Sequence, residues 1–261
     1  MSKTKAFLAT YGLSKKFGGV QALHSLDLNI NSGEIHGLIG PNGAGKTTLI
    51  NLITGIEKPS AGEIFFKGER IDQLTPESIF ERGISRTFQD SKIISDLTVF
   101  ENIAVGLIDL KKRGEDKLKH KNLFPGWFSR YGQEKEIRER VEKAVEAMDL
   151  SHIIDRWADE LVWFERQLVQ ITRALISDPQ FLLLDEPTAG MGGKEKIMLE
   201  DKLIKINQSG VTIMLVSHDM NFIRSITKKI TVLDFGRKIS EGLTEQVLSD
   251  KRVWEAYLGA E

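Results

Sequence analysis

Cysteine is absent from the 261 residues. That excludes a disulfide framework and thiolate chemistry and agrees with a reducing compartment. No sign of charge dominates: 36 Lys and Arg face 37 Asp and Glu, a formal net charge of -1, so no global positive field steers the chain onto nucleic acid, and no nucleic-acid partner is expected. Long hydrophobic runs are missing too. None approaches the ~18 apolar residues that a bilayer crossing requires, and the apolar stretch after Met1-Ser2-Lys3-Thr4-Lys5 is too short for a signal-peptide core. A membrane role, if the chain has one, is expected to pass through another polypeptide.

What remains is an ordinary globular composition, 41% hydrophobic and 28% charged, long enough for one large α/β domain or two small ones. Short β-branched or apolar runs recur at Phe7 to Tyr11, Leu26 to Ile30, Ile35 to Ile39, Glu63 to Lys67, Phe181 to Leu184, Val211 to Val216 and Lys229 to Leu233. Several alternate with helical patterns, which predicts a layered α/β fold. Strand signals disappear between about Asp90 and Ile176, where Ile137, Val141, Val145 and Met148 mark an amphipathic helix. A mainly helical insert is expected there. Its least regular part, Asp109 to Gly132, runs from a lysine-rich loop into Leu123-Phe124-Pro125-Gly126-Trp127-Phe128. It reads either as a solvated loop with a hydrophobic clasp or as a contact for a membrane-embedded partner.

Gly40-Pro41-Asn42-Gly43-Ala44-Gly45-Lys46-Thr47 matches the phosphate-binding template Gly-x-x-x-x-Gly-Lys-Ser/Thr without exception. The apolar run Ile35 to Ile39 precedes it and a helical stretch, Thr47 to Thr54, follows. Strand, glycine turn and helix N-terminus in that order make an anion site, in which backbone N-H groups curl around phosphate oxygens. Lys46 is expected on the β/γ phosphates, Thr47 on Mg²⁺ and Thr48 on a phosphate oxygen.

Phe181-Leu182-Leu183-Leu184 ends in Asp185-Glu186, a buried strand delivering two carboxylates at the end where open α/β sheets bind ligands. Asp185 is expected to orient Mg²⁺ and Glu186 to act as general base on the attacking water. His218 follows another apolar run and is expected at the γ-phosphate or against Glu186. Gln89 can supply an amide oxygen to Mg²⁺ or water.

In this order the motifs resemble those of the ABC transporter ATPase family over essentially the whole chain. The resemblance implies an α/β P-loop NTPase (RecA-like) core with an inserted helical subdomain, and ATP and Mg²⁺ as cofactors. It also implies that Phe17 stacks on adenine, Gln89 is the Q-loop glutamine and His218 the switch histidine. The expected division is a core of residues 1–89 and 177–241, a helical subdomain of residues 90–176 and a C-terminal tail of residues 242–261. A finer resemblance, to ATP-binding subunits of bacterial importers for branched-chain amino acids, urea and short amides, rests on three features. These are Arg86-Thr87-Phe88-Gln89, the insert around Asn122 to Phe128 and the ending Ala256-Tyr257-Leu258-Gly259. It implies membrane permease subunits, a separate solute-binding protein and a second ATP-binding subunit as partners. A heterodimer is favoured over a homodimer, peripheral at the cytoplasmic face of the inner or plasma membrane.

Two segments depart from the family pattern. Where it has Leu-Ser-Gly-Gly-Gln or a close variant, this chain has Leu161-Val162-Trp163-Phe164-Glu165, and its D-loop, Ala189-Gly190-Met191-Gly192, lacks the usual final aspartate. A soluble ABC ATPase that does not serve transport, and a weakly catalytic regulatory subunit, are the alternative readings.

Overall fold

A computed structural model describes residues 6–89, 92–107 and 134–258. In chain order the first elements are β1 (Leu8–Phe17), β2 (Val20–Ile30), β3 (Ile35–Ile39), α1 (Lys46–Ile53), β4 (Ala61–Phe66), β5 (Glu69–Arg70), α2 (Pro76–Glu81) and β6 (Ile84–Arg86). Helices α3 (Val99–Ala104), α4 (Glu134–Ala147) and α5 (Trp163–Leu175) follow. The chain then runs through β7 (Phe181–Asp185), α6 (Gly193–Gln208), β8 (Thr212–Val216), α7 (Met220–Ile226), β9 (Lys229–Asp234), β10 (Arg237–Leu243), α8 (Thr244–Leu248) and α9 (Lys251–Leu258). Two compact units result: Met1–Gln89 with Pro179–Glu261, and Asp90–Asp178. Residues 242–258 fall within the first unit.

Two sheets build the first unit. One has six strands in the order β10-β9-β3-β8-β7-β6, parallel except for β10; the other is antiparallel, in the order β2-β1-β4-β5. Strands β3, β7 and β8 are buried at every residue, as expected of parallel strands covered on both faces. Leu38, Leu183, Met214 and Val216 of the larger sheet share one core with Leu8, Leu28, Ile30 and Phe66 of the smaller and with Leu49, Ile50, Leu52 and Ile53 of α1. Phe7 packs edge to face on Phe66 and Phe181, which stack on each other in this core.

The parallel sheet has its crossover where β3 lies between β8 and β9. The loop after β3 therefore opens at the carboxyl edge, where α/β sheets hold ligands. The loops after β6, β7 and β8 share that edge, because β6, β7 and β8 run parallel to β3 in continuous register.

The second unit contains no strand among the described residues, only an isolated bridge between Thr98 and Trp157. Helix α3 opens with a complete capping box, the Thr98 hydroxyl accepting from the Glu101 amide and the Glu101 carboxylate accepting from the Thr98 amide. Asn102 stitches the preceding loop to this helix through the Ile94 amide and the Ile94 and Leu97 carbonyls. The basic and aromatic loop, Asp109 to Gly132, lies outside the described residues.

A buried carboxylate ties the antiparallel sheet together. Asp72 accepts from the Ile64 amide at 3.2 Å, from Arg70 Nε at 2.8 Å and from Gln73 Nε2 at 2.8 Å. Burial pushes its carboxyl up, but these hydrogen bonds outweigh burial and hold it below the usual carboxylate range. The sign follows: the stabilisation is present above the unfolded-state value and is lost as pH falls through the lower folded value. Asp72→Ala is expected to cost about 2 kcal/mol at neutral pH, mainly through the stranded Ile64 amide, since Arg70 is half exposed and adds little. Urea unfolding from pH 7 to pH 3 should show the difference from the unmodified chain shrinking below about pH 4.

Candidate functional site

The loop from β3 to α1 is shaped by glycines in backbone conformations that side chains rarely adopt. Gly40 has φ +153, and a Cβ there would sit 2.2 Å from the Leu233 carbonyl and 3.0 Å from the Ala44 Cβ. Gly43, at φ +79, meets nothing within 4 Å, so at this position the backbone conformation, not crowding, favours glycine. The Ala44 carbonyl accepts from the Gly236 amide in the β9–β10 turn, which fixes the far side of the loop.

Lys46 opens α1 and is buried. Its ammonium donates to the carbonyls of Gly40 at 2.7 Å and Pro41 at 2.9 Å, curling back across its own loop. Burial lowers its pKa, opposed by the nearby charges of Glu186 and Asp185. Thr47 is exposed beside it and Thr48 half-buried. Three of the expected site residues, Lys46, Asp185 and Glu186, thus act on one another.

Asp185 ends β7 and Glu186 follows it, and both are buried. Burial pushes the Asp185 carboxyl up, Arg86 pulls it down, the Glu186 charge pushes it up again and Lys46 opposes. Glu186 has φ +50, a left-handed conformation that costs a non-glycine residue of order 1–3 kcal/mol and is retained where the surroundings fix it. Its amide donates to the Val216 carbonyl at the end of β8. His218 is 70% exposed, with Nδ1 2.9 Å from Glu186 Oε2, and its backbone N-H donates to the same oxygen at 3.3 Å. The strained turn after β7 and the turn after β8 are therefore joined through one carboxylate.

Arg86 and Thr87 also belong to this cluster, although the sequence argument quoted them only as part of a motif. Arg86 Nη2 lies 3.9 Å from Asp185 Oδ2, and its Nη1 donates to Asn51 of α1 at 2.7 Å. The Thr87 hydroxyl accepts from the Asp185 amide at 3.4 Å. An arginine closing a short strand was the available signal; the parallel register of β6 on β7, Arg86 opposite Leu183, turns it toward the acid. Gln89 is exposed three residues further on. Phe17 closes β1, is 44% exposed and carries the Lys15 ammonium 4.7 Å from its ring centroid.

Thr47, Asp185 and Gln89 carry hydroxyl, carboxylate and amide oxygens, the ligand types that suit a hard divalent cation. Among the described residues no group of three His, Cys, Asp or Glu gathers to hold a metal alone. Such a cation would need ligands from another source as well, and nucleotide phosphates are the natural one.

In the second unit, α5 begins after Val162, which has no side-chain oxygen to cap it. Glu165 compensates in part: its Oε2 accepts from the Val162 amide at 3.0 Å, while Arg156 Nη1 stands 3.5 Å from its Oε1. In the first unit Glu195 does the same for Gly192, at the start of α6, at 2.7 Å. Both departures from the family pattern thus sit at helix starts served by a glutamate.

A glycine loop closing a parallel strand, a lysine folded across it and two carboxylates at the neighbouring strand end define a P-loop nucleotide-binding protein. Residues 23–189 match the family model described as ABC transporter, more than half of the chain. A probable branched-chain amino acid transport ATP-binding protein, LivG, of Methanocaldococcus jannaschii is 33% identical over 263 residues, covering 99% of this chain and 100% of its own. The high-affinity branched-chain amino acid transport ATP-binding protein LivG of Escherichia coli K12 is 32% identical over 260 residues, covering 98% and 99%. Among solved structures, the ADP conformation of MJ1267, an ATP-binding cassette of an ABC transporter, superposes with a TM-score of 0.86 at 32% identity, covering 98% of this chain and 100% of that one. The chain belongs to the ABC transporter family, as one of its ATPase subunits.

Proposed function

We propose that this chain binds Mg-ATP in the loop of Gly40 to Thr47 and hydrolyses it to drive a membrane permease, in import of branched-chain amino acids or related small polar solutes. The observation that carries this reading is the convergence of Lys46, Asp185, Glu186 and His218 at the carboxyl edge of one parallel sheet. The family supports the ATPase, and the names of the relatives support the cargo class.

In this reading the adenine stacks on Phe17, and the backbone from Gly40 to Lys46 wraps the phosphates with Thr48 on a phosphate oxygen. Lys46 exchanges its two carbonyls for the β/γ oxygens. Thr47, Asp185 and Gln89 would hold Mg²⁺ together with the nucleotide, and the ion would supply charge neutralisation on the phosphates. Glu186 takes a proton from water as the water oxygen bonds to the γ-phosphorus, and the bond from that phosphorus to the β–γ bridging oxygen breaks, leaving ADP and phosphate. His218, hydrogen-bonded to Glu186, orients the carboxylate and then turns to the γ-phosphate. Lys46→Ala is expected to weaken ATP binding at least tenfold, whereas Glu186→Gln keeps binding and loses hydrolysis by ~10²-fold or more. Calorimetric titration with ATP and phosphate-release assays separate the two effects. Wild-type turnover in Glu186→Gln would remove Glu186 from the reaction.

The 90–178 unit is assigned the permease contact, with the chain peripheral at the cytoplasmic membrane face and a separate solute-binding protein delivering cargo. Exposed Ile94 and Trp157 in that unit support this assignment. A single cysteine at exposed Ser95, in a chain with no cysteine of its own, should crosslink to the permease in the assembled transporter. Crosslinks confined to cysteines on the outer strand β10 would contradict it.

We further assign the chain to a heterodimer with unequal ATP sites. Val162 and Trp163 are 60% and 40% exposed where the family presents a hydroxyl and a small residue to the partner's nucleotide, and Glu165 adds negative charge at the same helix start. Phosphate charge there is disfavoured by like charge and bulk. The site that pairs this segment with the partner's P-loop is therefore the slow one. Restoring Val162→Ser, Trp163→Gly and Phe164→Gly together should raise ATPase of the isolated chain by ~10²-fold. Brisk hydrolysis by the unmodified isolated chain, unchanged on restoration, would defeat the assignment.

A further inference from the structure

Helix α9 carries a tyrosine into the nucleotide site. The helix is fastened to its surroundings by Trp254, whose Nε1 donates to the Leu248 carbonyl at 2.7 Å, and by Val253, which is buried. One turn on from Val253, the Tyr257 phenol lies at the Gly40 amide at the start of the phosphate loop, within the field of the Glu186 charge. Its hydroxyl oxygen is buried and closes no hydrogen bond with either. Burial holds this phenol well above the ordinary tyrosine range, the Gly40 amide opposing and the Glu186 charge adding to it. The phenol is therefore a protonated donor. A buried donor without an acceptor is a destabilising arrangement that folded chains avoid unless another state satisfies it.

The missing acceptor is identified by what already occupies Glu186. Oε2 takes both the His218 ring at 2.9 Å and the His218 amide at 3.3 Å. The other charged groups acting in this cluster are the Lys46 ammonium, the Asp185 carboxylate and the Arg86 guanidinium. Of these neighbours only the tyrosine is an uncharged donor that can hold a carboxylate without neutralising it.

We propose that Tyr257 is a positioning residue for Glu186: when the His218 ring turns away toward bound nucleotide, the Tyr257 hydroxyl donates to the Glu186 carboxylate and keeps it aimed at the attacking water. No proton is transferred to or from the tyrosine in this role; it replaces one hydrogen bond of the carboxylate with another. The C-terminal helix thereby becomes part of the hydrolytic apparatus, and its seating on α8 and β10 sets how well the base is held. The inference rests on Glu186 being the general base.

The test uses the full chain co-purified with its membrane partners and compares Tyr257→Phe, Tyr257→Ala and Glu186→Gln. Tyr257→Phe keeps the ring and removes only the hydroxyl. It should lower kcat for ATP roughly tenfold while KM stays within error of the unmodified chain and Tm is unchanged or higher, because the hydroxyl removed has no partner in the resting fold. Tyr257→Ala should lose at least as much kcat and lower Tm as well. If Tyr257→Phe turns over normally, with or without a loss in Tyr257→Ala, the hydroxyl has no role and the proposal is overturned. Normal turnover in Glu186→Gln would instead overturn the assignment of the base on which the proposal rests.

Discussion

The buried ammonium of Lys46 is the charge around which this molecule is arranged. It lies beside two carboxylates, yet its hydrogen bonds go to the carbonyls of Gly40 and Pro41. Those carbonyls are weak partners for a cation compared with a phosphate. The carboxylates have other partners, Asp185 facing Arg86 and Glu186 facing His218. A loop that holds a desolvated cation on neutral oxygens is set to exchange them for an anion, and both neighbouring strand ends are committed to the same exchange.

That arrangement depends on the parallel sheet. Strand β3 ends just before Gly40, whose missing side chain lets the Leu233 carbonyl, near the end of β9, approach the loop. On the other side, β8 carries Ser217 and His218 past the end of β7, and the Val216 carbonyl accepts the Glu186 amide. Glu186, in its left-handed conformation, is thus tied by its amide to the adjacent strand. Strain at this residue is the local cost of turning a carboxylate out of a buried strand.

Much of this was legible in the sequence, for a definite reason. Strands β3, β7 and β8 are buried on both faces, so each appears as an unbroken apolar run followed at once by polar residues. Strand β10 gave no such signal: Arg237, Lys238 and Glu241 populate an exposed edge strand, and edge strands tolerate charge. Strand β6 is only Ile84 to Arg86, too short for a periodic pattern. The meeting of Lys46 with Asp185 and Glu186 follows from motifs already readable in the chain. The placing of Arg86 against Asp185 and of Tyr257 at the Gly40 amide does not, because both depend on pairing across the sheet or on the return of a terminal helix. No local pattern encodes either.

The central claim is that the loop around Lys46 is built to receive a triphosphate. A crystal structure of the full chain with Mg²⁺ and a slowly hydrolysed ATP analogue tests it most directly. The account predicts the Lys46 Nζ withdrawn from the Gly40 and Pro41 carbonyls and bonded to β- and γ-phosphate oxygens, with the Glu186 carboxylate facing water in line with the γ-phosphorus. A triphosphate bound elsewhere, with Lys46 still on its two carbonyls, would contradict it.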